Sequence, residues 1–210
     1  MQITDMTLQK RDPNKKNIFV DGNYVFALSH TDIAYFRLEI GKEIPQETFD
    51  YIQDSLIYIQ AQEKALSYLG YKMRTKKEVE QKLLEKEFSE EIITRVMNFL
   101  EEYRYIDDQE YAVRYVKERL RLRPRGAMLL RMELKQKGIC EEWIAEAIEA
   151  ADPSEEQDAI GLLEKKLRGN YEIDEKKKKQ LYGFLQRKGY SYDTIKKAFR
   201  YIDEMGNCDQ

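Results

Sequence analysis

The sequence predicts a mainly α-helical chain: three tandem three-helix repeats forming an elongated curved body, with a small N-terminal β-hairpin and short helix in front. Three observations predict it. The hydrophobic pattern takes on the threes and fours of a helix from Gln46 onward. Before that point, β-rich segments flank an Asp21-Gly22 dipeptide. And the body aligns with itself: Leu83, Leu134 and Leu185 stand 51 residues apart. The same step links Lys86, Lys137 and Lys188, then Phe88, Ile139 and Tyr190, then Ile93, Ile144 and Ile195.

The head comes first. Ile18-Phe19-Val20 and Asn23 to Leu28 are strand material around a dipeptide that suits a type I′ turn, where both central residues need positive φ. Ile3 to Leu8 supplies a third strand, with Asp12-Pro13-Asn14 as the intervening turn. A short helix is expected from Thr31 to Leu38, ending near Gly41.

A long amphipathic helix follows, with Ile52, Leu56, Ile59, Leu66, Leu69 and Met73 on one face. Thr75 and Glu78 then spell a capping box, in which the hydroxyl accepts from the third helical N–H and the carboxylate reaches back. Asp107 with Glu110, and Ser154 with Gln157, repeat the start signal. Upstream in each copy, Ala65, Ala112 and Ala159 are 47 residues apart, as are Arg74, Arg121 and Arg168. The link between first and second helices therefore grows by four residues per copy, as a loop between similar helices can.

Lys137-Gly138-Ile139 and Lys188-Gly189-Tyr190 place glycine where a helix end needs left-handed φ, then an apolar residue that folds back, with Ser191 as the next N-cap. The first copy has Glu87 there, so its turn is expected to be different or strained. Residues 1–45 form the hairpin plus short helix, 46–106 the first repeat with its long leading helix, 107–153 the second, 154–203 the third and 204–210 a tail.

Composition bounds the chemistry. Of 210 residues 36% are charged and 42% hydrophobic, enough for a core under an unusually charged surface. The N-terminus has no apolar segment of signal type, and no run reaches the roughly 18 apolar residues of a spanning helix. Cys140 and Cys208 lack metal-site spacing, His30 is the single histidine, and the glycines form no phosphate loop. His30 sits between Ser29 and Asp32 and reads as part of a helix cap; Asp107-Asp108 reads as a helix start rather than a metal pair. The single Trp143 is expected in the second core. The expectation is a cytoplasmic monomer with no catalytic residue, no metal, no cofactor and no membrane contact.

Charge is the signal that remains. The net charge is −3, yet Tyr111 to Ile139 carries nine positive residues against Glu118 and Glu133, a net +7. Arg114, Lys117 and Arg121 make one helical stripe bordered by Tyr111, opposite Ala112, Val116 and Leu120. Arg119, Arg123, Arg125, Arg131 and Lys135 complete the candidate binding set. Cys140 to Asp158 then holds eight acids and no base. The ordinary alternative, solvated helix surface, stays open for both runs. Lys176 to Lys179 covers a whole turn and forms no stripe.

The run Tyr105-Ile106-Asp107-Asp108-Gln109-Glu110-Tyr111-Ala112, followed by Tyr115-Val116, Arg119, Gly126 and Glu133 to Ile139, resembles the core motif of the RecX regulatory protein family. Ala65 to Leu69, Arg74-Thr75 and Glu78 to Leu83 are similar to it as well. The resemblance covers about residues 61 to 203, and the head is similar to the N-terminal extension of longer Gram-positive members. It implies a non-enzymatic protein that binds the RecA–DNA filament and inhibits its ATPase, strand exchange and growth, within homologous recombination, DNA repair and the SOS response. The implied partners are the RecA filament and DNA, single-stranded and also double-stranded. Within the motif, Asp107, Asp108, Tyr111, Gly126, Leu134, Lys137, Gly138 and Ile139 read as architecture: caps, turns and packing. The rival reading is a helical-repeat nucleic-acid binder that acts without RecA.

Overall fold

A computed structural model describes residues 1–10, 12–151, 153–171 and 173–208, the last two by backbone alone. Asp152 of the acidic run, Glu172 of the link between Gly169 and Lys176, and the last two tail residues lie outside the described residues. The chain divides into two compact units, Met1–Asp107 and Asp108–Gln210.

In the first unit, β1 (Ile3–Leu8), β2 (Lys15–Val20) and β3 (Asn23–Ser29) form an antiparallel sheet in the order β1-β2-β3. Asp21 and Gly22 both take positive φ, 50° and 82°, as a type I′ turn requires. Ile3, Ile18, Val20, Phe26 and Leu28 are buried. Ser29 and Asp32 make a full capping box at the start of α1 (His30–Tyr35). This helix is shorter than the Thr31–Leu38 expected from sequence, because Arg37 turns left-handed at φ 53°. The Leu38 N–H then donates back to Ile33 at 3.0 Å and its side chain is buried.

The long helix contains a π-helical stretch: α2 (Gln46–Tyr51) runs through Ile52–Ile57 into α3 (Tyr58–Leu69). That stretch corrects the expected apolar face. A π turn takes more residues than an α turn and so rotates the stripe. Ile52 is buried as expected, but Ile57, Ala61 and Ala65 carry the core onward, while Ile59 and Met73 are exposed. Thr75, fully buried, and Glu78 form the capping box of α4 (Lys76–Leu84), and Ser89 caps α5 (Glu90–Glu102).

In the second unit, α6 (Asp108–Leu122), α7 (Ala127–Gln136) and α8 (Glu141–Ala151) enclose one core, with α6 against α8. α9 (Glu155–Leu167), α10 (Glu175–Arg187) and α11 (Tyr192–Cys208) enclose another, with α9 against α11. Trp143 is half-buried against the first of these cores. Ser154 does not cap α9 with its side chain, against the sequence expectation; its ψ of 61° departs from the extended backbone of a side-chain cap.

The repeat columns are the core. Leu83, Leu134 and Leu185 are buried, as are Ala65, Ala112 and Ala159, and Ile93, Ile144 and Ile195. Each buried leucine contributes about 1.5–3 kcal/mol. Alanine fills the column where a larger side chain would hold two helices apart. The turn after the second helix is the same in all three copies. Phe88, Ile139 and Tyr190 donate back to Leu83, Leu134 and Leu185 at 3.3, 3.1 and 3.3 Å. Gly138 and Gly189 hold φ 89°, and Glu87 reaches the same region at 63°.

Candidate functional site

The basic segment occupies α6, the 123–126 connection and α7. Exposure and pairing sort its residues into groups that the sequence shows as one run. Lys117, Arg121 and Arg123 are exposed, with no acidic partner within 4 Å among the described residues. Arg114, the third member of the expected stripe, instead donates through Nε to Glu110 one turn back at 2.9 Å.

Arg119 and Arg125 are tied down. Glu133, only 20% exposed at its side chain, accepts from Arg125 and from the Tyr115 hydroxyl at 2.8 Å, with Arg119 at 3.6 Å. Arg119 also donates to the Tyr115 oxygen at 2.9 Å, with its guanidinium 4.8 Å from the ring centre. Burial holds the Tyr115 phenol above its ordinary range. Arg131 and Lys135 converge on Glu141 at 2.9 and 2.7 Å, and the Lys135 ammonium holds that carboxyl below its usual range.

Each of these two carboxylates pairs with two cations. The segment as a whole is basic, with Lys117, Arg121 and Arg123 its exposed cations that pair with no carboxylate among the described residues. Tyr111 is not a free stacking ring: it is half-buried and stacks on Tyr115 at 5.9 Å and 19°, with Lys137 Nζ 5.5 Å from its centre.

Of the motif residues, Leu134 and Ile139 are buried, Gly138 forms the turn, and Gly126 precedes α7 with its N–H donating to the Lys188 carbonyl at 2.9 Å. Asp107 directly precedes α6 and Asp108 opens it.

Part of the acidic run is also spent internally. Besides Glu141, Glu146 accepts from Gln109 at 2.9 Å and Glu156 lies 3.5 Å from Lys197. Glu155 receives the Ala127 N–H at the start of α7 and the Thr194 hydroxyl at 3.3 Å. Sequence offers no signal for that last role, because the partners are 28 and 39 positions away. Among the described residues no three His, Cys, Asp or Glu gather as a metal site, and no helix is long and apolar enough to cross a membrane.

Three-helix units with buried repeat columns and a shared turn define a helical-repeat protein. Family comparison makes the assignment specific. Residues 1–45 match the regulatory protein RecX N-terminal domain, and 61–100, 107–148 and 154–199 match the first, second and third RecX three-helix domains. The chain is 34% identical to regulatory protein RecX of Bacillus subtilis over 203 residues, covering 96% of this chain and 77% of that one. It is 33% identical to the Clostridium botulinum protein of the same name, covering 93% of each. A crystal structure of regulatory protein RecX superposes with TM-score 0.64 at 28% identity, over 93% of this chain and 98% of that one. RecX from Lactobacillus salivarius gives 0.63 at 27%, over 71% and 98%. The chain belongs to the RecX regulatory protein family.

Proposed function

We propose that this protein regulates RecA by binding the RecA–DNA filament and inhibiting its ATPase, strand exchange and growth, performing no chemistry of its own. Membership of a family whose relatives are named regulatory proteins supports the regulatory role. The observation that carries the contact surface is the exposed trio Lys117, Arg121 and Arg123, which pairs with no carboxylate among the described residues, in a segment of net charge +7. Such a field attracts phosphate and acidic protein surface together. The net charge of −3 weakens binding to bare duplex, which favours a composite target of protein and DNA.

The test is RecA ATPase on single-stranded DNA with wild type and with K117E/R121E/R123E. Exposed positions shift stability by less than about 0.5 kcal/mol each, so the variant should stay folded. It should lose the effect on RecA, and binding to the filament on single-stranded DNA should lose about 0.7 units of salt slope for each phosphate contact removed. Reversal of Lys64 and Lys72, exposed on and just after α3, serves as the control. A triple variant that still acts on RecA like wild type would leave the trio as solvated surface.

A further inference from the structure

The third repeat carries a groove that the basic segment does not account for. It lies between α10 and α11, has a volume of about 350 Å³, and is walled by Tyr182 and Tyr192. Their ring centres stand 6.3 Å apart, edge to face. Phe199 lies at the floor, 6% exposed, with Lys178 Nζ 5.7 Å from its ring. Tyr192 is 64% exposed, so the face of its ring is open to a flat partner.

Tyr192, Lys196 and Arg200 follow one another at i, i+4 and i+8 on α11, so ring and cations form one row along the groove. Successive members are about 6 Å apart along the axis, close to the reach of one nucleotide in an extended strand. Lys196 and Arg200 have no acidic partner within 4 Å among the described residues, whereas the adjacent Lys197 faces Glu156 at 3.5 Å. Asp203, the one acid lining the groove, is occupied by Lys178 at 3.2 Å. The groove thus offers aromatic faces and open positive charge with its carboxylate already neutralised.

We propose that this groove binds single-stranded nucleic acid, with a base stacked on Tyr192 and the backbone phosphates tracked by Lys196 and Arg200. A ring and a cation in alternation match a polymer that alternates planar bases with phosphates. A duplex fits poorly because its base faces are already stacked on one another. An acidic peptide meets the charges but brings no flat partner for the exposed ring. The site goes beyond the regulatory reading and does not depend on it, since it requires no RecA.

The experiment is fluorescence anisotropy of a labelled oligothymidylate of about 12 nucleotides with the full chain, between about 50 and 200 mM salt. Tyr192→Ala should weaken binding about tenfold or more while Tyr192→Trp retains it. K196E/R200E should weaken binding and flatten the log–log salt slope by about 1.4, at roughly 0.7 per single-strand phosphate. A blunt duplex of equal length should show no dependence on Tyr192. Circular dichroism checks that each variant remains helical.

Wild-type affinity in the alanine variant, or an equal loss on duplex and single strand, overturns the proposal. So does a Tyr192→Ala protein that loses its effect on RecA yet binds oligonucleotide normally, since the groove is then a protein-binding face. The regulatory reading fails separately, through K117E/R121E/R123E, which leaves this groove intact.

Discussion

Gly126 and Gly189 touch through their backbones: a Cβ added to Gly126 would lie 2.1 Å from the Gly189 carbonyl oxygen. Gly189 in turn would drive a Cβ to 2.3 Å from that of Leu129. The contact seats the start of α7 on the turn after α10, with Met128 N–H donating to the Gly189 oxygen at 3.1 Å. It joins the second and third repeats inside one unit, and the Glu155 carboxylate reinforces it from α9. Both glycines are needed because two backbones approach there, and Gly189 additionally holds φ 89°.

Gly126→Ala and Gly189→Ala should therefore each destabilise the second unit by about 2 kcal/mol or more, read from urea denaturation. The obstacle is backbone, which cannot rotate away as a side chain can. Gly22→Ala is the comparison. It has no atom within 4 Å of the added Cβ and suffers only the left-handed backbone cost of about 1–2 kcal/mol.

Glu87 makes the same turn with a Cβ and repays the strain through contacts to the sheet. Gln9 Nε2 donates to its carboxylate at 2.7 Å, and the Tyr24 hydroxyl to its carbonyl at 2.6 Å. Glu87→Ala keeps the left-handed cost and loses the Gln9 bond, so it should destabilise by about 1 kcal/mol. Glu87→Gly loses the bond but relieves about 1 kcal/mol of strain. Its denaturation midpoint should lie close to wild type, and well above that of the alanine variant.

Two tyrosines make stability fall at high pH. Burial, with the Glu87 charge second, pushes Tyr24 up to about 12; burial, then Asp158 and Glu155, raises Tyr190 as well. A phenol whose folded pKa exceeds its unfolded value of about 10 favours folding fully below pH 10. That contribution is lost as pH rises through the folded value, for Tyr24 between about 10 and 12. Tyr24→Phe should flatten this alkaline loss in the first unit at the cost of its bond to Glu87. Tyr190 differs, because its buried hydroxyl has no hydrogen-bond partner among the described residues. Tyr190→Phe should thus be neutral or stabilising by about 1 kcal/mol at pH 7, measured by thermal melting. A loss beyond 1 kcal/mol would contradict that account of the hydroxyl.

Local chemistry made much of this protein legible from sequence. The Asp21-Gly22 turn, the Thr75–Glu78 cap and the left-handed glycines after α7 and α10 each depend on a few adjacent residues, so the one-dimensional text holds their cause. The repeat columns were legible too, because helices that pack alike must bury alike. Tertiary structure decided what depends on distant partners. That Arg119 and Arg125 share Glu133, and Arg131 and Lys135 share Glu141, while Lys117, Arg121 and Arg123 pair with no carboxylate among the described residues, is a sorting that the run of charges does not reveal. Ile59 left the core because a π-helical stretch rotated the helix face. Tyr182 joined the row of Tyr192, Lys196 and Arg200 only when α10 folded beside α11, since a groove between two helices has no address in the chain order of either.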